Sequence, residues 1–331
     1  YVDFAVFCDS GNADNFKPYY VTSSTWTAIT VNSATAKLQT RTPDMVARYG
    51  KVFFSDGLDI YKWDGTWTSV TRVQNKSGAA VALTGTVTFN QSSDAVTGSG
   101  TAFNTELLPG YFLRKASTSG SWYEVKSIES ATALTLMQNF AEATGAGTAG
   151  GSQRSAINIL TGLTAGSGGL FLIIHKDRLI TASCFQLSSG TVNYRNTIFG
   201  SVVGDFDDWT GDGGFDLDIE PDDGEEISGL GAYGDYLFVF KWSRYFVYRL
   251  NSSDLDTPYV LVSIINKGCN SHRTIKEIDG GLIYYTGTEL RLTNGGADEL
   301  LSVDVYEDLK KSSSFRKADG YFSANSAADV Y

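Results

Sequence analysis

The chain has 331 residues, 42% hydrophobic, 19% charged and 13% aromatic, a composition that excludes disorder as its main state and gives either two domains or one large all-β domain. Its net charge of −11 is local: the 22 residues from Asp205 to Glu226 hold eleven carboxylates and no Lys or Arg, and the rest of the chain balances 26 acids against 26 bases. Without a basic excess, a surface that grips nucleic acid by releasing counterions is not expected, although a conduit through which DNA merely passes would prefer a neutral or acidic wall.

Five prolines, 35 glycines, 18 tyrosines and 19 phenylalanines accompany many short Val/Ile/Tyr/Phe runs, which predicts a sheet protein with many tight turns. In chain order the first hairpin is "YGKVFFSDGLDIYKWDG" (49–65), with turn signals at Asp56-Gly57 and Asp64-Gly65. Three later segments repeat its plan of turn, strand, break and strand: "HKDRLITASCFQLSSG" (175–190), "YGDYLFVFKWSRYFVYRL" (233–250) and "IDGGLIYYTGTELRLTNGG" (278–296). From Asp177 to Gly234 is 57 residues and from Gly234 to Gly280 is 46, near the ~40–50 residues of a four-stranded propeller blade. The interval from Gly50 to Asp177 is 127, and excising 74–150 leaves 50. The expected organisation is therefore an all-β propeller, 1–73 and 151–331, interrupted by an insertion at 74–150.

The insertion alternates Val87 and Phe89, then Tyr123, Val125, Ile128, Leu134 and Leu136, with Ser, Thr and Gly. That pattern predicts five or six strands of a small sandwich or barrel, closed by a flexible link, "AEATGAGTAGGSQ" (141–153). A short helix is expected at 303–313, where Val303, Val305, Tyr306 and Leu309 fall at roughly helical spacing. The sequence begins at Tyr1 with no charged-then-apolar leader, as if its start had been removed or left out. It has no run of 18 apolar residues, which argues against a membrane span.

Motifs that carry chemistry are few. Cys8, Cys184 and Cys269 lie far apart with no CxxC, so buried free thiols are expected rather than a disulfide framework or a zinc site. Gly145-Ala-Gly147-Thr-Ala-Gly150 spells GxGxxG, but the residues after it do not form a helix, so it reads as linker. His175 and His272, 97 positions apart and outside any HExxH, read as turn or edge residues. In the acidic run, Asp218, Glu220, Asp222 and Glu226 form a weak calcium candidate, because the glycine that an EF-hand loop needs sixth arrives seventh, at Gly224. Thr210-Gly-Asp212-Gly-Gly214 approaches the Ser/Thr-x-Asp-x-Gly turn of sialidase-type propellers, but Leu217 stands where an aromatic belongs. Glycosidase chemistry needs two spaced carboxyls, one with a raised pKa, whereas eleven crowded acids give repulsion. Trp209, Phe215, Leu217 and Ile219 alternate through the run, so a strand with one wet face at the edge of the blades is expected. In "FKWSRYFVYRL", Lys241, Arg244 and Arg249 flank Trp242, Tyr245 and Tyr248. A half-buried strand with outward charges is expected there, ahead of a stacking surface for single-stranded nucleic acid.

The segments "DFDDW" (205–209), "DGEEISGL" (223–230), "LFVFK" (237–241), "NKGCNS" (266–271) and "LLSVDVYEDLKK" (300–311) together resemble the propeller of bacteriophage tail proteins similar to the nozzle, or second tail-tubular, protein of short-tailed phages. The resemblance covers about 155–331 and, more weakly, 40–72. "TVTFNQSSDAVTGSGTAF" resembles small β domains that decorate phage structural proteins, and "GYFSANSAADVY" ends within what reads as a blade, so the blade count stays open. The resemblance implies a structural virion protein with no active site and no cofactor. Such a protein is assembled in the bacterial host cytoplasm as a ring homo-oligomer, a hexamer in that family, stacked on a tail adaptor and contacting fibre or tip proteins, with DNA passing through its lumen during ejection. Interface or lumen candidates are then Asp205, Asp207, Asp208, Asp212, Trp242, Arg244 and Tyr245, and the insertion is free to reach the host surface. Two rival functions stay open: a carbohydrate-binding or glycosidase-like propeller, and a receptor-binding tail protein.

Overall fold

A computed structural model describes residues 3–8, 16–22, 25–31, 44–55, 59–67, 69–74, 76, 80–115, 120–148, 168–185, 193–210, 213–254 and 257–302. The chain is all-β and of propeller type. It divides into two compact units, the first formed by 1–168, 186–190 and 206–211, the second by 169–185, 191–205 and 212–331.

In the first unit, β1 (Asp3–Cys8), β2 (Phe16–Thr22) and β3 (Thr25–Ala28) form an antiparallel meander. Next come β4 (Thr30–Val31), β5 (Asp44–Arg48), β6 (Lys51–Ser55), β7 (Ile60–Trp63) and β8 (Ser69–Arg72). Strands β5 to β8 pair in sequence order, and β4 adds in parallel to the free side of β8. The core of this sheet is Phe54, Tyr61, Trp63, Trp67 and Val70, with Tyr20 of β2 resting on it 5.3 Å from the Trp63 ring. Burying several aromatic rings in one cluster removes enough apolar area to hold a five-stranded sheet.

A six-stranded sheet follows, built from β9 (Thr86–Phe89), β10 (Ala95–Ser99), β11 (Phe112–Leu113), β12 (Tyr123–Ser130), β13 (Ala133–Leu136) and β14 (Gly145–Thr148) in the order β11-β12-β13-β10-β9-β14. Two register shifts between β12 and β13 sharpen its twist. The sheet curls over one core of Val87, Phe89, Val96, Phe103, Val125, Leu134, Leu136 and Phe140, so it is barrel-like and not a stack of two sheets. A four-residue helix, Phe103–Glu106, plugs the curl with the fully buried Phe103. The expected link at 141–153 is corrected in part, because Gly145–Thr148 is a strand that pairs residue for residue with β9. Backbone hydrogen bonds along an edge need no side chains, so a glycine-rich segment can still be recruited there.

The second unit holds three four-stranded meanders. They are β15 (Phe171–His175), β16 (Arg178–Phe185), β17 (Asn193–Gly200) and β18 (Phe215–Asp218); then β19 (Gly229–Tyr233), β20 (Tyr236–Phe240), β21 (Tyr245–Leu250) and β22 (Tyr259–Ile265); then β23 (Lys276–Ile278), β24 (Gly281–Tyr285), β25 (Leu290–Thr293) and β26 (Asp298–Leu300). The first strands of successive sheets are neighbours, β15 beside β19 and β19 beside β23, which is how propeller blades meet. The apolar inner faces of the first two sheets share one core, including Ile180, Ile198, Leu230, Leu237 and Phe246. Phe238, Phe240, Tyr245 and Tyr284 join the second sheet to the third.

In each of the four four-stranded meanders, β5 to β8 and the three of the second unit, the first hairpin closes through a two-residue turn: Tyr49-Gly50, Lys176-Asp177, Gly234-Asp235 and Asp279-Gly280. Tyr49, Gly50, Lys176, Asp177, Gly234 and Gly280 all have positive φ, as turns matched to the twist of a hairpin require. The helix expected at 303–313 and the turn expected at Asp56-Gly57 lie outside the described residues.

Candidate functional site

The acidic run 205–226 is the chain's one concentration of charge, and the structure divides it. Its first part is held in the first unit. Phe206 packs on Phe53 and Tyr49 at 5.1 and 5.5 Å between ring centroids, and the Trp209 indole donates to the Phe206 carbonyl at 3.0 Å. Between these anchors Asp207 is buried. Its Oδ2 accepts from Lys62 Nζ at 2.8 Å, its Oδ1 accepts from the Gln74 amide at 2.8 Å, and its carbonyl accepts from the Lys76 amide at 2.7 Å. Lys62, on β7, is wholly buried. It also reaches Glu124 of β12 at 3.4 Å and lies 4.5 Å from the centre of the Phe112 ring. Glu124 in turn binds Lys51 of β6 at 2.6 Å.

Burial alone would lower the Lys62 pKa, but the Asp207 and Glu124 carboxylates overrule it and leave the ammonium above its ordinary value. The network Lys51–Glu124–Lys62–Asp207 thus bolts the blade sheet, the curled sheet and the start of the acidic run together. Sequence reasoning missed this brace. The available signal was Lys62 itself, a charge inside the otherwise apolar and aromatic strand "IYKW", where burial demands a partner.

The second part of the run clasps the β20–β21 hairpin. Asp218, on β18, accepts from the Thr197 hydroxyl at 2.6 Å. Glu220 has φ of 40° and Gly224 φ of 76°, and between them Pro221–Asp223 makes one 3₁₀ turn. That turn aims both Asp223 oxygens at Lys241 Nζ, each at 2.8 Å, and the Glu220 carbonyl also accepts from Lys241 at 2.8 Å. Burial opposes ionisation of Asp223, but the Lys241 and Glu225 hydrogen bonds prevail and hold its pKa below the usual carboxylate value. Glu220 pairs with Arg244 at 3.1 Å, Glu225 accepts from the Ser243 amide and hydroxyl at 3.1 and 3.0 Å, and Glu226 pairs with Arg195 at 3.5 Å.

The expected outward charge at Lys241 is therefore corrected. β20 ends at Phe240, the chain turns between Lys241 and Arg244, and the Lys241 side chain points into the protein. Two of the interface candidates are corrected as well. Asp207 is consumed by Lys62, and Tyr245 is fully buried with its hydroxyl on Thr293 Oγ1 at 2.8 Å, so neither is available at a surface. Trp242 and Arg244 are half-buried at the hairpin turn, Asp208 is half-buried, Asp205 forms a single bridge with Val202, and Asp212 lies outside the described residues.

The calcium candidates do not converge: Asp218, Glu220 and Glu226 are engaged with Thr197, Arg244 and Arg195 respectively, and Asp222 is exposed. Among the described residues no three His, Cys, Asp or Glu side chains are grouped so as to hold a metal ion, and no helix is long and apolar enough to cross a membrane. Cys269 is a buried free thiol whose pKa burial pushes up. The side chains of Cys8 and Cys184 lie outside the described residues.

His175 closes β15 and is buried. Its Nε2 lies 3.2 Å from the Gly234 carbonyl, which can only accept, so Nε2 carries the proton and Nδ1 accepts from the Tyr259 hydroxyl at 2.8 Å. His272 opens a 3₁₀ turn and accepts from the Leu230 amide at 3.1 Å. Both histidines thus join neighbouring sheets. Asp59 is pushed toward protonation by burial, against Arg72 at 2.8 Å and the Tyr61 hydroxyl.

The fold and this arrangement define a class: a propeller-type β protein whose charged residues fasten its own sheets. No family model matches the sequence, and no curated protein matches it. Solved structures similar to it include the AfRom2 CNH domain, with 8% identity over 89% of this chain and 92% of that one at a TM-score of 0.23. Phage phi92 endosialidase matches with 12% identity over 86% and 59% at 0.22. The acylaminoacyl peptidase of Pyrococcus horikoshii matches with 12% identity over 94% and 52% at 0.20. Scores this low carry no argument for fold or function, and both rest on the sheets and residues above.

Proposed function

We propose that this chain is a structural virion protein of a bacteriophage tail, a nozzle-like component that assembles with copies of itself into a ring at the distal DNA exit. The observation that carries the reading is the use made of the acidic run. Asp207 and Asp223 serve as internal struts on Lys62 and Lys241, and Asp218, Glu220, Glu225 and Glu226 bond neighbouring side chains nearer the surface, an outcome suited to mechanical rigidity and unlike a pair of carboxyls tuned apart for acid–base work. Among the described residues Lys62, Arg195, Lys241 and Arg244 pair with members of the run, which holds eleven acids and no base of its own. Exposed members of this acidic run, such as Asp216 and Asp222, suit a lumen wall that repels phosphate and lets DNA slide.

In this reading the adaptor ring and the fibre or tip proteins are the neighbours in the virion, DNA is transient cargo, and the curled sheet of β9 to β14 faces outward toward the host. Electron microscopy of the purified chain tests it: rings with a central opening are expected, and dispersed single copies overturn it. The rival, a carbohydrate- or receptor-binding propeller, draws on the exposed aromatics Trp26 and Tyr49. Glycan binding by a single copy, lost in Trp26→Ala or Tyr49→Ala, would establish that rival instead.

A further inference from the structure

The last strand of a four-stranded meander is its outer edge, where unpaired backbone groups invite a strand from another chain. Three of the four outer edges here are guarded. β8 is covered by β4, β18 turns Asp216 and Asp218 to water, and β26 is three residues long and carries Asp298 and Glu299. β22 differs. It spans seven residues without a charge, has β21 as its neighbour among the described strands, and exposes Val260, Leu261, Val262 and Ile264 by 53, 45, 51 and 42%. Its register against β21 shifts at the centre: Val247 faces Ser263 and Tyr248 faces Leu261, so Val262 has no opposite number. A bulge leaves the extra residue's polar groups outside the ladder.

We propose that β22 is a two-fold contact between copies of this chain, with β22 of one copy antiparallel to β22 of the next and Val262 at the centre. The second copy is the occupant because the strand complements itself. Val262 is the midpoint of Tyr259–Ile265, and a two-fold axis through it sets Val260 against Ile264 and Leu261 against Ser263, with no like charges opposed. Immediately outside the strand, Lys267 falls opposite Thr257, whose amide and hydroxyl hold the Asp254 carboxylate. The Lys267 side chain keeps 43% of its surface exposed beside Glu289, so opposite charges meet at both ends of the joint. The bulge bends the strand and restricts the ladder to a few hydrogen bonds, leaving the apolar side chains to carry most of the contact. This contact is independent of the tail reading: it joins two single copies, or two rings.

The full chain tests it. Under mild oxidation Val262→Cys should form a disulfide-linked pair beyond the wild-type background, because residue 262 lies opposite itself. Val260→Cys alone should not, while Val260→Cys combined with Ile264→Cys should. In sedimentation, Leu261→Lys with Val262→Lys should halve the wild-type mass with an unchanged circular dichroism spectrum. Equal cross-linking of the 260 and 262 variants, a mass indifferent to the lysines, or a wild type that sediments as a single copy overturns the proposal and leaves the edge to a different occupant. A wild-type dimer halved by the lysines upholds this contact while refuting the ring, and a single ring of unaltered mass does the reverse.

Discussion

Replacing Lys62 by Met tests the internal brace directly. Methionine fills most of the lysine's volume, so the loss is electrostatic: the ammonium disappears from a site with no solvent exposure, 2.8 Å from Asp207, whose side chain is itself only 7% exposed. Glu124 keeps Lys51 at 2.6 Å, so the penalty falls on Asp207, left buried with the Gln74 amide and deprived of the Lys62 ammonium. Breaking one side of a buried pair costs about 3–5 kcal/mol. Urea unfolding followed by tryptophan fluorescence reads this, because Trp63, Trp67 and Trp209 are buried in the same unit. Adding Asp207→Asn to the Met variant removes the stranded charge while keeping an acceptor for the Gln74 amide, and should return at least ~1 kcal/mol. The pH dependence carries a definite sign. The Lys62 pKa is raised on folding from 10.5, so its contribution is full below that value and lost as the pH climbs through the folded one. The variant should lack this alkaline component. A Met variant within about 0.5 kcal/mol of the wild type, or a double variant no more stable than the single, would refute the brace.

His175 supplies an acid-side counterpart. Burial, with Lys176 adding to it and the Gly234 carbonyl and Asp235 opposing, pushes its pKa down from 6.5 to about 4. The unfolded chain therefore takes up the proton first, and the contribution, full above pH 6.5, is lost as the pH falls toward 4. Relative to His175→Phe, the wild type should lose up to about 3 kcal/mol across that window. Parallel pH profiles for the two proteins would contradict the assignment. Gly268 tests the "NKGCNS" turn: a Cβ there would overlap the Trp242 carbonyl, where the Cys269 amide bonds the Lys241 carbonyl at 3.0 Å. Gly268→Ala should destabilise by about 1–3 kcal/mol in thermal unfolding, and an unchanged melting temperature would show that the turn can shift. The cross-linking of Val262→Cys decides the two-fold contact as set out above.

The parts of the fold legible in the sequence are those set by local chemistry. Two-residue turns need positive φ, so Gly50, Asp177, Gly234 and Gly280 mark the first hairpin of each meander, and their spacing exposes the repeat. What escaped depends on distance along the chain or on neighbours. Lys62 meets Glu124 and Asp207 across 62 and 145 residues, and nothing local in "IYKW" names those partners. The alternation Phe238, Phe240, Trp242 reads as one continuous strand that would turn Lys241 outward, while the strand ends at Phe240 and the chain reverses. Gly145–Thr148 has the composition of a linker, but an edge strand draws on backbone groups that every such residue possesses. The exposure of "YVLVSII" depends on its place at the rim of a sheet, which an apolar run alone does not reveal.

The mass of the assembled wild-type chain in solution bears most directly on the central claim that this protein is a rigid, self-assembling tail component. One copy is 35.8 kDa, and the account predicts a ring of several copies, about six times that mass, or about twelve times where β22 joins two rings. A particle of one copy at tens of micromolar concentration, folded and compact, would contradict it.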